Sequence, residues 1–558
     1  MAKRPFPLIQ TKPVPSGDAA WENKRKAIID DFVSKIPEEY YIPQKYVDSP
    51  PLDVTNIPRE CGILTDEELE ITENYDAVGL ANAIATRKYS SVTVATAFCK
   101  RAIIAHQVSC CLSQWFMDEA LERAKALDDH LERTGKTVGP LHGVPISIKE
   151  HMAIAGHTSS YGFVSSIEPM DSDAHMIAIL RSLGAVFYVK TNQPQSIMHL
   201  ESDSHLGRVL LPHNINLSAG GSTGGEAALI ALRGSVLGVG TDIGGSVRGP
   251  AGFCGIYGFK PTAYTLPMRG FLPHGFAAEL NILCSTGPMC RSLRDLDLFM
   301  RLILNTQPHL TDPLLTPIPW TGLATPTPSP LKIGIMTHDG AIHPQPPVAR
   351  ALAWARARLA PHAGLALRPY TPHRAAAAMR LIRQMYWPDG GRGVRRALAA
   401  AAEPMHPLTR HILADADAPA ELPASEVTRQ RVERDAFRAA FAADWNAQDV
   451  DVVLAPVFVG PACAHDTAFY WNYTALWNFV DYPGVVFPTP VVVGGKGEEG
   501  GYGEGAEAPL SEECAHVRRL WEEGDFVGAP VNLQLVARKH HDNLLFGALA
   551  AVREALAL

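Results

Sequence analysis

Three glycine-rich motifs fall between Leu141 and Thr262, and they restrict this chain more than any other feature. The first is Gly143-Val144-Pro145-Ile146-Ser147-Ile148-Lys149-Glu150. The second is Gly220-Gly221-Ser222-Thr223-Gly224-Gly225-Glu226, and the third is Gly240-Thr241-Asp242-Ile243-Gly244-Gly245-Ser246-Val247-Arg248. In the first, Val144, Ile146 and Ile148 alternate with Ser147 and Lys149, which predicts a strand with one apolar face and Lys149 on the other. The second is too rich in glycine for a regular element. It runs into Glu226–Leu232, a strong helix former, so Ser222 falls at or just before a helix N-terminus. Glycines there permit positive φ and let a ligand or another backbone approach closely. In the third, Val236–Gly240 reads as a buried strand entering a tight turn. The amides of Ile243, Gly244, Gly245 and Ser246 can then converge on one point, an arrangement that stabilises a tetrahedral oxyanion by about 3–4 kcal/mol per donor in well-studied enzymes.

One lysine and two serines set in such backbone suit acyl transfer better than packing. A lysine with its reference pKa of about 10.4 is almost wholly protonated at neutral pH. To act as a base it must lose its charge, and burial beside neutral hydroxyls favours that. Asp242 and Arg248 can pair and brace the loop. Gly220-Gly221-Ser222-Thr223-Gly224 also fits the Gly-x-Ser-x-Gly elbow of α/β-hydrolases, which would make Ser222 the nucleophile with a later Asp and His. His142 and His151 compete with Lys149 for the role of base.

The same residues carry a resemblance. With Thr191-Asn192-Gln193-Pro194-Gln195-Ser196 and Phe253-Cys254-Gly255-Ile256-Tyr257-Gly258-Phe259-Lys260-Pro261-Thr262, the three motifs resemble the amidase signature family. The resemblance is stronger to fungal acetamidase-like amidases and to fatty acid amide hydrolase than to other branches. The resemblance implies an α/β fold, a central twisted mixed β-sheet covered by helices on both faces. It also implies a Ser–Ser–Lys triad: Ser246 the nucleophile, Ser222 the bridging serine on a cis peptide, Lys149 the base. The oxyanion hole would come from Ile243, Gly244, Gly245 and Ser246. Gly220, Gly221 and Thr241 would bind substrate, with Ile197 and Met198 as one wall of the pocket, and Asp242, Arg248 and Thr223 in support. Thr223 stands where relatives usually carry a second serine, and it keeps the hydroxyl.

Composition bounds the alternatives. The 558 residues are 46% hydrophobic and 19% charged, as expected of a soluble enzyme, and the net charge of −8 gives no nucleic-acid footprint. Nine cysteines without Cys-x-x-Cys spacing point to a reducing compartment rather than a disulfide framework, and Cys254 reads as a small buried thiol. No secretory signal or membrane-length apolar run is evident, so a cytoplasmic location without a membrane anchor is expected. The histidines lack compact ligand spacing; neither a metal nor any other cofactor is expected.

We read one amidase domain over 1–558: an N-terminal arm over 1–64 with a helical patch at Trp21–Ile36, a helical start and signature core over 65–310, and a C-terminal part over 311–558 that completes the sheet and the substrate cavity. Thr65-Asp66-Glu67-Glu68 is a capping box that starts a helix. Strands are predicted at Gln114–Phe116, Ala185–Lys190, Leu331–Met336 and Asp451–Pro456, and a helix at Ala174–Leu183. Residues 346–450 read as helical, with Phe437, Phe441 and Trp445 as core. Aromatics between Thr467 and Phe487 are candidates for the pocket or for a packed helix. Gly494–Glu507 reads as a mobile loop. The long arm is compatible with a homodimer. The expected activity is cleavage of a small-molecule carboxylic amide to acid plus ammonia or amine. The alternative within the same signature is the glutamine-hydrolysing subunit of a tRNA-dependent amidotransferase.

Overall fold

In the computed structural model, which describes residues 4–271, 281–416, 421–502 and 507–558, eleven strands form a mixed sheet. These are β1 (Leu112–Trp115), β2 (Pro145–Lys149), β3 (Val186–Thr191), β4 (Leu237–Asp242), β5 (Tyr257–Lys260), β6 (Ser285–Cys290), β7 (Leu331–Ile335), β8 (Leu365–Pro369), β9 (Val452–Pro456), β10 (Gly484–Phe487) and β11 (Leu533–Ala537). Their spatial order is β1-β3-β2-β4-β6-β5-β10-β11-β9-β7-β8. The pairs β3–β2 and β2–β4 are parallel, the strands from β4 to β9 pair antiparallel, and β9–β7 and β7–β8 are parallel again. Helices pack around the sheet, giving an α/β architecture. A continuous buried core runs from Ile9 to Leu556.

The strand at β2 is buried on both faces, since it sits between two parallel neighbours under helical cover. Its alternation still decides the site. Ser147 and Lys149 share one face, and that face looks onto the helix Gly224–Ala231 and the loop before it.

The arm holds α1 (Ala19–Ser34) and docks by backbone bonds, Ile9 N to Gln107 O and Val54 N to Pro212 O, each 2.8–2.9 Å. The capping box forms as expected at the start of α2 (Asp66–Asn74): Glu68 N donates to Thr65 Oγ1 at 3.2 Å and Thr65 N to Glu68 Oε2 at 2.9 Å. The central helices are α3 (Ser91–Ser109), α4 (Gly224–Ala231) and α5 (Arg248–Cys254). Further on come α6 (Ala375–Met385), α7 (Ala424–Gln448) and α8 (Asn472–Phe479).

Two stretches differ from the sequence reading. Within the alanine- and arginine-rich 346–450, Leu365–Pro369 is not helical but forms β8, a half-buried edge strand paired on one side to β7. Five residues of mixed polarity in a helix-rich context carry too little alternation to be recognised. In the Gly/Glu tract, Glu499 pairs with Arg350 and the Tyr502 ring lies under Arg518 at 4.5 Å, so the described part of the tract is held at two points. The rest of that tract lies partly outside the described residues.

Candidate active site

The three motifs meet at the C-terminal ends of β2 and β4. Parallel pairing of Ile148 with Val239 places Lys149 beside the start of the third motif, and α4 brings up the second. Lys149 Nζ lies 2.7 Å from Ser222 Oγ, 2.9 Å from Thr223 Oγ1 and 3.4 Å from Thr241 Oγ1. The lysine is fully buried, and burial lowers its pKa from about 10.5 to about 7 against the modest opposing pull of Cys284, Asp242 and Glu226. No carboxylate forms an ion pair with it among the described residues. The nearest acid on that face, Glu226, is itself pushed up to about 8 by burial, and the hydroxyls of Ser147 and Thr191 donate to its oxygens.

The peptide between Gly221 and Ser222 is cis. A side chain on Gly221 would put its Cβ 2.5 Å from the carbonyl oxygen of His199, so only glycine fits. Thr223 N donates to the Ser246 carbonyl at 3.1 Å and ties the second motif to the third.

Ser246 is only partly buried and opens on a cavity of about 20 Å³ that it shares with Ile243, Gly244, Met198, Leu200, Tyr386 and Trp471. Ser222, by contrast, is 1% exposed. Of the two predicted wall residues, Met198 reaches the cavity and Ile197 does not. Gly220 and Thr241 lie behind Ser222 and Lys149 and are not among the residues lining this cavity. A much larger cleft of about 920 Å³ lies between α1 and the β1 edge and holds none of the predicted site residues. Of the two, the small cavity is the one lined by predicted site residues: Ser246, Ile243, Gly244 and Met198.

The loop from Asp242 to Arg248 is braced from below. Arg248 Nε and Nη2 donate to the two oxygens of Asp242, each at 3.0 Å, with both residues fully buried. Burial alone would raise the Asp242 carboxyl; the guanidinium beside it reverses that and holds it well below the usual carboxylate range. Asn478 on α8 bonds both partners, donating to Asp242 Oδ1 at 2.9 Å and accepting from Arg248 at 2.6 Å. Asp242 Oδ1 also accepts from Gly245 N at 2.8 Å. Of the four amides expected to form the oxyanion hole, that of Gly245 is engaged by Asp242, whereas those of Ile243, Gly244 and Ser246 have no partner among the described residues. Tyr386 Oη donates to the Ile243 carbonyl at 2.9 Å and Thr474 Oγ1 to that of Gly244 at 2.8 Å, which fixes the peptide planes that carry the Gly244 and Gly245 amides.

Tyr386 follows α6 and Trp471 precedes α8, some 140 and 225 residues downstream of the loop they face. Trp471 lies in the aromatic stretch that offered pocket candidates; no local signal marked Tyr386. Most of the remaining aromatics of that stretch are core: Tyr482 packs on Phe441 and Trp445, and Phe479 on Phe437, with centroids 5.0–5.6 Å apart. The Cys254 thiol is buried and pushed above its usual pKa by that burial. His142 accepts from Val138 N at 3.0 Å, away from the triad. Among the described residues no helix is long and apolar enough to cross a membrane.

Comparison with known proteins agrees with this geometry. A family model described as Amidase matches residues 93–546. The chain belongs to the amidase family. It is 41% identical over 520 residues to a relative from Schizosaccharomyces pombe, covering 92% of this chain and 95% of that one. It is 33% identical over 537 residues to an acetamidase of Emericella nidulans, covering 93% and 95%. The solved structure of a fatty acid amide hydrolase superposes with a TM-score of 0.90 at 32% identity, over 97% of each chain. As an amidase-signature amidohydrolase the protein acts on amide C–N bonds of small substrates.

Proposed function

We propose that this amidase works through an acyl-enzyme on Ser246, with Lys149 as base and Ser222 as the relay between them. The single observation that carries this reading is a lysine amine without a carboxylate partner among the described residues, buried 2.7 Å from Ser222, whose loop is tied to that of Ser246 by the bond from Thr223 N to the Ser246 carbonyl. Ser246 Oγ attacks the amide carbonyl, its proton passing to Ser222 as the Ser222 proton passes to Lys149. The amides of Ile243, Gly244 and Ser246 hold the oxyanion. Collapse breaks the C–N bond, and the proton returns from Lys149 through Ser222 to the departing nitrogen. Water then attacks the ester by the same route and releases the acid.

Met198, Tyr386 and Trp471 would wall the acyl side, and side chains of that bulk leave room for a short aliphatic group. The acetamidase likeness supports the same substrate size. The test is turnover of short aliphatic, aryl and long-chain amides. Acetamide or propionamide should give the highest kcat/KM; a preference for long acyl chains would refute the assignment. The elbow reading has little support, because Ser222 is sealed from solvent and its partner is a lysine. No observation favours an amidotransferase subunit.

A further inference from the structure

We infer that His151, held by Gln193, fixes the direction of the Thr241 hydroxyl and thereby aims the lone pair of Lys149 at Ser222; this rests on the triad reading above. A neutral amine has two N–H donors and one lone pair, and three hydroxyl oxygens surround Lys149 Nζ: Ser222, Thr223 and Thr241. Unless something sorts them, the lone pair has no preferred direction. The Thr223 hydroxyl donates to the Thr241 carbonyl at 3.4 Å, which leaves its oxygen as an acceptor toward the lysine. For Thr241 the sorting group is His151. Gln193 Nε2 donates to the Ser160 carbonyl at 2.9 Å, so Gln193 Oε1 faces His151 Nδ1 at 2.8 Å. Nδ1 therefore carries the proton and Nε2 is bare. Among the described residues, the hydrogen that faces it is that of the Thr241 hydroxyl, 3.3 Å away. Both threonine oxygens thus accept from Lys149, both N–H bonds are spent, and the lone pair is left for the Ser222 hydroxyl.

His151 is buried, and its ring packs edge-on to Phe271 with centroids 5.9 Å apart. It touches neither nucleophile nor cavity, so it is a positioning residue and not the base; burial, chiefly, keeps it neutral to about pH 3. Thr191 ends β3 and Gln193 follows it, and the pairing of Lys149 with Thr191 brings that segment to the end of β2.

The test is a double-mutant cycle on the full-length enzyme with His151→Leu and Thr241→Val, assayed on acetamide alongside Lys149→Ala. Each single change should lower kcat about tenfold with KM altered by less than about threefold. The double variant should be no slower than the slower single, because His151 acts only through Thr241. His151→Gln, whose amide can accept from Thr241, should recover most of the loss. Multiplicative losses in the cycle, or no recovery by His151→Gln, would overturn the inference while a dead Lys149→Ala kept the triad. Wild-type turnover by Lys149→Ala would sink both. Circular-dichroism melts check that each variant is folded, and His151→Met replaces His151→Leu if the latter is not.

Discussion

Lys149 Nζ lies 2.7 Å from Ser222 Oγ, and neither residue is more than 1% exposed. That relation sets the pH behaviour. Desolvation brings the amine down to about 7, and only its neutral form can take the proton. We expect kcat/KM for acetamide to rise with pH through about 7 and level off above it, and Lys149→Ala to lose at least about 1,000-fold. A profile flat from about pH 5 to 9 would count against the lysine.

The same burial has a cost for stability. The folded pKa of Lys149 is below its unfolded value, so between about pH 7 and 10.4 the unfolded chain binds more protons and stability rises with pH. Below about pH 7 the full penalty applies. Lys149→Met should therefore be inactive yet unfold at higher denaturant concentration than the parent at pH 7. A lower midpoint would mean that the hydroxyl cluster depends on the amine for its own stability.

Arg248 and Asp242 form a fully buried bidentate pair beneath the catalytic loop. Removing one partner leaves a buried charge unpaired, which costs about 3–5 kcal/mol. Arg248→Met should lower stability by that amount in urea titration and abolish turnover, because Asp242, the acceptor of the Gly245 amide, loses the guanidinium that holds it in place.

Gly245 has φ of +129°, and a Cβ there would come within 2.2 Å of Thr474 Oγ1. Gly245→Ala should displace α8 or the loop and reduce kcat by about 100-fold or more, with KM less affected. Near-normal kcat would show that the loop can shift without loss.

Tyr386 and Trp471 close the cavity beside Ser246. Trp471→Ala should improve kcat/KM for butyramide and longer amides relative to acetamide by about tenfold. Tyr386→Phe keeps the wall but frees the Ile243 carbonyl, so it should lower kcat for all substrates alike. The amide panel read on both variants separates the two effects.

The site was legible where chemistry and local pattern coincide. Alternation around Lys149, the glycines flanking Ser222 and the turn before Ser246 are short-range signals, and they mark strands and loops that the fold then brings together. The allocation of individual amides was not legible: whether Gly245 donates to Asp242 or to a ligand depends on how one loop closes. Nor were the far walls. Tyr386 reaches Ile243 across 143 positions of chain, and no local periodicity encodes that approach. The His151–Gln193 bond arises from adjacent strand ends in a parallel pair, and parallel neighbours are joined by long crossovers that leave little trace in sequence. The edge strand Leu365–Pro369 was missed for want of length.

The most direct measurement is mass spectrometry of the enzyme after reaction with an acyl-transferring or phosphonylating amide analogue, followed by peptide mapping. A single adduct on Ser246, absent in Ser246→Ala and formed much more slowly in Lys149→Ala, is the expected result. An adduct on Ser222, or labelling of Ser246 at full rate without Lys149, would contradict the mechanism.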